Sequence, residues 1–147
     1  MSAEQNIAIV RRYYEECTND YGDPEKKRAL VAVDELLTPD FVMYYNNESD
    51  ADGRRGMDAH KEFLVAHTHA FPGERWTVEP IVADEQTVAS VWRVKATHAE
   101  TGNPIDVMAA DFFTVKHGRL AELRRFLDWE MLHAQTEAAP AEQATSA

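Results

Sequence analysis

The most constraining feature of this sequence is its order, because helical patterns come first and strand patterns follow. After Pro72, four runs rich in β-branched and aromatic residues are separated by connections of only three to six residues, DEQ, HAETGN and KHG. The runs are WTVEPIVA, TVASVWRVKAT, PIDVMAADFFTV and RLAELRRFL. Connections of hairpin length join neighbouring antiparallel strands, and such sheets twist. The second half of the chain therefore predicts a twisted antiparallel sheet.

Three helices are predicted before this sheet. Apolar residues recur at helical spacing from about residue 4 to 18, and Gly22 with Pro24 ends that pattern. A second helix follows Pro24 and ends before Pro39, and a third begins at Met57 and is closed by FPGE. DFVMYY, between the last two, reads as a short strand. The order predicts an α+β domain with three N-terminal helices packed on one face of a strongly curved, mostly antiparallel sheet.

Composition fits one domain and excludes several classes of partner. The chain has 147 residues and 44% hydrophobic content, enough for a real core. We predict a single domain over residues 1–135 and a disordered tail over 136–147, because TEAAPAEQATSA is small and polar. A net charge of −11 argues against nucleic acid and against anionic membranes. The single cysteine, Cys17, excludes an internal disulfide framework, and without an apolar leader the protein is expected to be cytoplasmic.

Several segments in this order resemble the SnoaL-like polyketide cyclases of the nuclear-transport-factor-two-like superfamily. They are FPGERWTVEPIVAD, VWRVKATHAETGNP, VKHGRLAELRRFLD and DWEMLHAQ, and the resemblance covers roughly residues 5 to 135. It implies a cone-shaped fold with a mixed sheet, an internal pocket and a homodimer formed through the outer sheet face. The superfamily contains cyclases, ketosteroid isomerases, limonene-epoxide hydrolases, dehydratases and binding modules without activity. Function must therefore be argued from the pocket residues.

The resemblance also shows that two family acids are replaced by cations. Cyclases and limonene-epoxide hydrolases place an acid seven residues after a turn glycine, which here leads from Gly118 to Arg125. The hydrolases' second acid would fall at Lys95. Cations cannot replace catalytic carboxylates, which argues against epoxide hydrolysis by that mechanism. Asp128, three residues beyond Arg125, is interpreted as a helix N-cap rather than a catalytic acid.

One acid remains at a pocket position of the family. Asp111 lies seven residues before Gly118, where ketosteroid isomerases place an oxyanion-stabilising acid and the cyclases a histidine. It alternates with Ala109 and Phe113, so it shares a strand face with apolar residues, and burial would raise its pKa. Tyr13 aligns with the isomerase's oxyanion tyrosine, whereas the isomerase's base would fall at Tyr45. The alternatives are that Asp111 pairs with a neighbouring cation and stays ionised, and that Tyr13 or Tyr14 only packs in the core.

The orientation of two further cations stays open at this stage. Arg93 and Lys95 share a strand face by the two-residue period. Facing inward with Arg125, they would form a three-cation pocket suited to an anionic ligand. Facing outward, they would be ordinary surface charge.

No metal site is predicted from the histidines. His60 and His67 lie seven residues apart on the third helix, but neither has an acid or histidine at i+4 to complete a short chelate. His67 or His69 is instead a candidate for lining the pocket, since the third helix covers the sheet. Cys17 is interpreted as a buried structural thiol.

The leading hypothesis is a small-molecule acid/base enzyme of the cyclase or isomerase type that works without a cofactor. Asp111 would donate or accept the proton, Tyr13 and Tyr44 would donate hydrogen bonds, and Arg125 with Lys95 would stabilise negative charge. The remaining predicted substrate-binding residues are Asn46, Arg93, Phe63, His67 and Phe113. The second hypothesis is a non-catalytic dimeric module that binds an apolar or anionic metabolite. A third is an accessory subunit of a larger enzyme.

Overall fold

The computed structural model describes residues 2–137 and consists of four α-helices packed against one six-stranded sheet. The helices are α1 Ala3–Tyr13, α2 Lys27–Leu36, α3 Met57–Ala70 and α4 Trp129–Thr136. The strands are β1 Leu37–Tyr45, β2 Arg54–Arg55, β3 Arg75–Ala83, β4 Thr87–Thr97, β5 Pro104–Lys116 and β6 Arg119–Leu127. A π-helical segment, Tyr14–Thr18, extends α1, and a short 3-10 helix, Asp50–Asp52, precedes β2.

The sheet is mixed, open and mostly antiparallel. Its strand order is β2-β1-β6-β5-β4-β3, and β1 with β6 is the one parallel pair among the described strands. The three C-terminal hairpins are those the short connections predict. The α+β class is therefore confirmed. The strand predicted at DFVMYY is part of β1, which lies between β2 and β6, and a fourth helix, α4, follows β6.

The inner face of the sheet carries the core. Along β5, side chains alternate between buried and more exposed from Pro104 to Lys116. The helices cover this face, because α1 and α2 each turn an apolar stripe toward it. Asp128 is the N-cap of α4, since its carboxylate accepts a hydrogen bond from the backbone N–H of Met131 at 3.0 Å. The predicted N-cap is thus confirmed.

The boundary of the predicted tail falls at the end of α4. Thr136 is the last residue of α4 and Glu137 is its C-cap, so both lie in described structure, and residues 138–147 of the predicted tail lie outside the described residues. Within residues 2–137, no helix is both long and apolar enough to cross a membrane. The same residues hold no group of three potential metal-ligating side chains.

A buried histidine links α1 to α3 inside the core. The Tyr13 hydroxyl and His60 Nε2 share a hydrogen bond of 2.7 Å, and both side chains are inaccessible to solvent. Burial, reinforced by the charge of Arg125, lowers the pKa of His60 to about 3. The folded protein therefore holds His60 as a neutral imidazole.

This predicts a loss of stability in mild acid. Above about pH 6.5 the ring is neutral in both states, whereas below it the unfolded chain binds a proton that the folded chain excludes until the pH approaches the folded pKa of about 3. His60 alone should remove about 2 kcal/mol from the free energy of unfolding between pH 7 and pH 5. Urea denaturation at both pH values measures this.

The control is His69→Gln, which removes an exposed histidine of the same helix and should leave the pH dependence unchanged. His60→Gln should flatten it, since the amide can still share the Tyr13 hydrogen bond but does not titrate. Equal pH dependence in wild type and His60→Gln would contradict the assignment.

Candidate active site

A fully buried ion pair joins the two central antiparallel strands. Asp111 on β5 and Arg125 on β6 are direct register partners. The guanidinium donates from Nε to Asp111 Oδ1 at 2.9 Å and from Nη2 to Oδ2 at 3.0 Å. Their side chains are 0% and 2% exposed. Burial opposes the charged guanidinium, but the Asp111 carboxylate outweighs it and raises the pKa of Arg125 well above its usual range.

The carboxylate of Asp111 has a third donor on the helical side. The Tyr14 hydroxyl donates to Asp111 Oδ2 at 2.5 Å and also shares a 2.8 Å hydrogen bond with Ser90 Oγ. Burial, together with the charge of Asp111, raises the pKa of Tyr14 well above its usual range. Tyr14 therefore remains a neutral donor. All three hydrogen bonds to Asp111 suit its ionised form, which is the ion-paired alternative left open by the sequence.

The π-helical segment explains why two adjacent tyrosines both face inward. Neighbouring side chains on an α-helix point about 100° apart, so one of the pair would turn toward solvent. The wider turn that begins at Tyr14 instead buries Tyr13, Tyr14, Cys17 and Thr18 together. Tyr13, predicted as the oxyanion donor, is bound to His60, and Tyr14 is the tyrosine that reaches Asp111.

Two tryptophan rings pack against the guanidinium of Arg125. The Arg125 Cζ lies 5.0 Å from the ring centroids of both Trp76 and Trp92, which are themselves 4.2 Å apart. Such cation–π contacts stabilise a desolvated guanidinium. Asp111 uses two of the five N–H donors of Arg125. Tyr45 lies beside the guanidinium: burial raises the pKa of Tyr45, while the charge of Arg125 and a side-chain hydrogen bond with Arg125 act to lower it.

Arg125 also lines a narrow apolar cleft on the inner side of the sheet. The cavity volume of the cleft is about 30 Å³. Its lining comes from α3, α4 and four strands, and three of the side chains are polar: Tyr45, His67 and Arg125. The other lining residues are Phe71, Trp92, Val94, Ala96, Ile105, Val107, Leu127 and Leu132. Asp111 is not among them.

A second buried carboxylate stands behind His67. Glu74, at the start of β3, is 1% exposed and lies 2.9 Å from His67 Nδ1 through its Oε1. Trp76 Nε1 donates to the same oxygen at 2.9 Å. Burial opposes the negative charge, but the hydrogen bond from His67, with those from Thr68 and Trp76, outweighs it and lowers the pKa of Glu74. The cleft therefore has an imidazole backed by one carboxylate and a guanidinium backed by another.

The structure corrects the predicted three-cation pocket. Arg93 lies on the outer face of β4 and makes a bidentate pair with Asp106, with both distances 2.7 Å. Lys95 shares that exposed face. The two-residue period correctly puts the two cations together, but it does not say on which side, and Arg125 is the only one of the three cations that faces inward.

Two of the remaining predicted site residues, Tyr44 and Asn46, lie near the C-terminal end of β1. Tyr44 donates to Asp50 Oδ1 at 2.8 Å beneath Arg124, away from the cleft. Asn46 closes the end of β6, where its Oδ1 accepts from the Leu127 N–H at 2.8 Å. Neither Tyr44 nor Asn46 lines the cleft, where both were predicted to contact the substrate.

Three further predictions concern side chains in the core or packed against it. Phe63 packs against His67, and Phe113 packs edge-on against Tyr13 and Tyr14. Cys17 is buried, and burial raises its pKa to about 12, as suits a structural thiol.

Sequence reasoning missed Glu74, Trp76 and the role of Tyr14. Trp76 and Trp92 each stand at inward positions of their strands and face each other closely, so a period-two reading of β3 and β4 together offers a signal for them. Glu74 sits in the turn FPGE, where an acid is ordinarily solvated. Nothing in the sequence marks it as buried.

The fold and the cleft together define a class of protein: a small α+β domain with helices over a mixed sheet and one buried arginine at an apolar cleft. A family model described as a SnoaL-like domain matches residues 10–123. The chain therefore belongs to the SnoaL-like domain family, which confirms the resemblance. A search of curated protein sequences finds no match.

Solved structures agree with this assignment. A protein described as a SnoaL-like polyketide cyclase, from Jannaschia sp. CCS1, has a TM-score of 0.76 at 20% identity, covering 91% of this chain and 93% of its own. An NTF2-like protein of unknown function from Burkholderia pseudomallei K96243 has a TM-score of 0.71 at 16% identity, covering 91% and 98%. An LEH-like epoxide hydrolase from M. tuberculosis has a TM-score of 0.70 at 17% identity, covering 95% of both chains. At these identities the likeness shows the fold alone.

The buried pair predicts a large stability difference between two aspartates of the same strand. Asp111→Asn removes the only carboxylate paired with Arg125 among the described residues and should lower the free energy of unfolding by about 3 to 5 kcal/mol. Asp106→Asn breaks the matching but solvent-exposed pair with Arg93 and should change stability little. Urea titrations followed by tryptophan fluorescence compare the two variants. Similar small effects would contradict a desolvated pair at Asp111.

Proposed function

We propose that this protein is a cofactor-independent acid/base enzyme of the cyclase or isomerase type, acting on a small, largely apolar molecule that carries a ketone, enolate or carboxylate. The SnoaL-like fold, with a cyclase-described and an epoxide-hydrolase relative, supports a small-molecule-binding or cyclase-like function. The observation that carries the finer proposal is the buried guanidinium of Arg125, which lines a mostly apolar cleft and has three N–H donors beyond the two bound to Asp111.

Arg125 would act as the oxyanion-stabilising group. When a base removes a proton next to a carbonyl, the C–H electrons form a C=C bond and negative charge moves to the carbonyl oxygen. Preorganised donors in a water-poor site stabilise that charge more than water does, because they need no reorganisation. Asp111 and the two tryptophans fix the guanidinium before substrate binds.

Asp111 takes a different role in this proposal from the one the sequence suggests. Its two oxygens are occupied by Arg125 and Tyr14, and it does not line the cleft. It would therefore position Arg125 rather than transfer the proton. Limonene-epoxide-type hydrolysis gains no support, because Arg125 and Lys95 stand where that mechanism needs acids.

The first test replaces the buried pair as a unit, which avoids leaving one charge unpaired. Asp111→Asn combined with Arg125→Met should fold, because a buried pair exchanged for neutral groups is often tolerated. We expect it to lose enolisation of 2-tetralone, measured by NMR as exchange of the α-protons with heavy water, by about 100- to 1,000-fold. It should also lose binding of 2-naphthol, an aromatic analogue of the enol, measured by fluorescence.

The matched control is Asp106→Asn combined with Arg93→Met, the same change on the outer face of the sheet. It should retain both exchange and binding. A buried-pair variant that folds and exchanges 2-tetralone like the wild type would exclude Arg125 as the oxyanion-stabilising group.

A second candidate function is a non-catalytic ligand-binding module. It is favoured by one observation, that eight of the eleven lining side chains are apolar. This candidate predicts that the wild type binds 2-naphthol yet exchanges no α-protons of ketones and opens no lactones or epoxides. Native mass spectrometry of the purified protein would then detect a retained small molecule.

We also propose that the chain is a homodimer formed through the outer face of the sheet. Met108, Phe112 and Phe126 are 55%, 46% and 43% exposed on neighbouring strands. Phe112 and Phe126 pack edge to face with centroids 5.8 Å apart. Large apolar groups clustered on one face are typical of protein interfaces, and a second copy offers a surface of the same kind.

Charge on this face should break the dimer. Phe126→Asp is expected to convert a dimer into a monomer, because the carboxylate would have to be desolvated in the interface. Light scattering after size-exclusion chromatography measures the mass. Val31→Asp, which adds the same charge at an exposed position of α2, should leave the dimer intact. A monomeric wild type would refute the interface.

A further inference from the structure

We propose that His67 is the proton-transfer residue of the cleft and that a buried chain of Glu74, Thr68 and Lys26 positions it. This inference rests on the proposed function, because the enolisation that Arg125 would assist needs a base, and His67 would be that base. It also departs from the sequence, where Asp111 was the candidate for proton transfer. His67 and Arg125 line the same cleft, so one small ligand could contact both.

The imidazole of His67 is held in one orientation. Its Nδ1 lies 2.9 Å from Glu74 Oε1, and Phe63, Phe71 and Trp76 surround the ring with centroids 5.6, 5.0 and 6.0 Å away. Among the described residues, Nε2 has no hydrogen-bond partner, and the side chain is 21% exposed. A histidine whose Nδ1–H donates to a carboxylate keeps Nε2 free to accept a proton.

Glu74 is prepared for this role by its own surroundings. Its Oε2 accepts from Thr68 Oγ1 at 2.5 Å, and its Oε1 accepts from Trp76 Nε1. These donors fix the carboxylate and, with His67, lower the pKa of Glu74 against the effect of burial. Glu74 therefore stays ionised while it orients the imidazole, and it stabilises the imidazolium that forms when Nε2 accepts a proton.

Lys26 completes the chain from the other side. Its Nζ donates to Thr68 Oγ1 at 2.8 Å and lies 3.9 Å from Glu74 Oε2, and both Lys26 and Glu74 are buried. Burial lowers the pKa of Lys26, while the charge of Glu74 opposes that effect. Lys26 also has a left-handed backbone, φ 52°, which is uncommon for a residue other than glycine. Backbone strain of this kind is typical of functional sites.

The proposed step is balanced within the cleft. His67 Nε2 accepts the α-proton of the substrate, the C–H electrons form a C=C bond, and the carbonyl π electrons move onto oxygen. The oxyanion accepts hydrogen bonds from Arg125. In isomerisation, His67 then delivers the proton to another atom of the conjugated system. In exchange, the imidazolium first releases its proton to solvent and takes up a deuteron from heavy water, which it delivers to the same carbon. No oxidant or reductant is needed.

The test compares two histidines two residues apart on α3. His67→Gln should lower the rate of 2-tetralone exchange by about 100-fold or more, the usual contribution of a general base, and should leave 2-naphthol binding nearly unchanged. His69→Gln is the matched control, since His69 is exposed and its side chain shares a hydrogen bond of 3.0 Å with the Pro24 carbonyl, away from the cleft. It should retain both properties.

The pH dependence of kcat/KM tests the positioning chain of Glu74, Thr68 and Lys26, because residues with a purely structural role would not shift it. The charged groups that face the imidazole are Glu74, Arg125 and, through Thr68, Lys26. Glu74→Gln keeps an oxygen acceptor for Nδ1 but removes the negative charge. Its kcat/KM should fall about tenfold, and its acid limb should move to lower pH, because the imidazolium loses its stabilising partner.

A fold check accompanies these variants. If Glu74→Gln unfolds because Lys26 loses its counter-charge, Glu74→Gln combined with Lys26→Met removes both charges and carries the same prediction. The position of the proton on the His67 ring gives a second measurement, and nitrogen NMR of the labelled wild type should find it on Nδ1.

The outcomes separate this inference from the proposed function. Wild-type exchange that is lost in the buried-pair variant but retained in His67→Gln would overturn the role of His67 and leave that of Arg125 standing. A proton on Nε2 of His67 would also overturn it. Absence of wild-type exchange across enolisable ketones would overturn the enzymatic proposal, and the inference with it.

Discussion

The ion pair between Asp111 and Arg125 is the interaction on which the rest of the interior depends. Taking two charges out of water costs several kcal/mol for each ion, and only good geometry with further hydrogen bonds offsets that cost. Here five elements contribute to that offset. Strands β5 and β6 place the pair in register, the π-helical segment supplies Tyr14, and β3 and β4 supply Trp76 and Trp92. A slip of β5 by one residue would carry Asp111 to the outer face and leave Arg125 buried alone. The ion pair between Asp111 and Arg125 therefore disfavours other registers of β5 against β6.

The outer face carries a second pair of the same residue types, and the contrast shows what burial adds. Arg93 and Asp106 have equally good bidentate geometry, but their side chains are 52% and 43% exposed. Water screens such a pair, so it neither specifies the fold strongly nor offers donors to an apolar ligand. Strand alternation turns Arg125 inward, so Arg125 can act in the cleft, whereas Arg93 on the outer face cannot.

Much of the fold could be predicted from the sequence, because its signals are local. The hairpins follow from short connections, and the burial of Asp111 follows from its alternation with Ala109 and Phe113. Less of the site could be predicted. A two-residue period places Arg93 and Lys95 together without saying which face is inner, and helical spacing cannot foresee a π-helical turn that buries Tyr13 and Tyr14 alike. Glu74 is buried only because α3, β3 and the turn near Lys26 meet around it, and no local pattern contains that contact.

The two carboxylates share an arrangement that bears on the ligand. Asp111 stands behind Arg125 and Glu74 behind His67, and neither acid lines the cleft, so a ligand would meet the donors and the imidazole while both negative charges are withheld from it. The protein's overall charge of −11 would repel an anion at long range, but salt screens that repulsion within about 10 Å. Local donors therefore outweigh net charge once a ligand is inside. Because the other lining side chains are apolar, one oxyanion is the charge that the site can satisfy, and a ligand with several charged groups would leave the rest unpaired in a water-poor cleft.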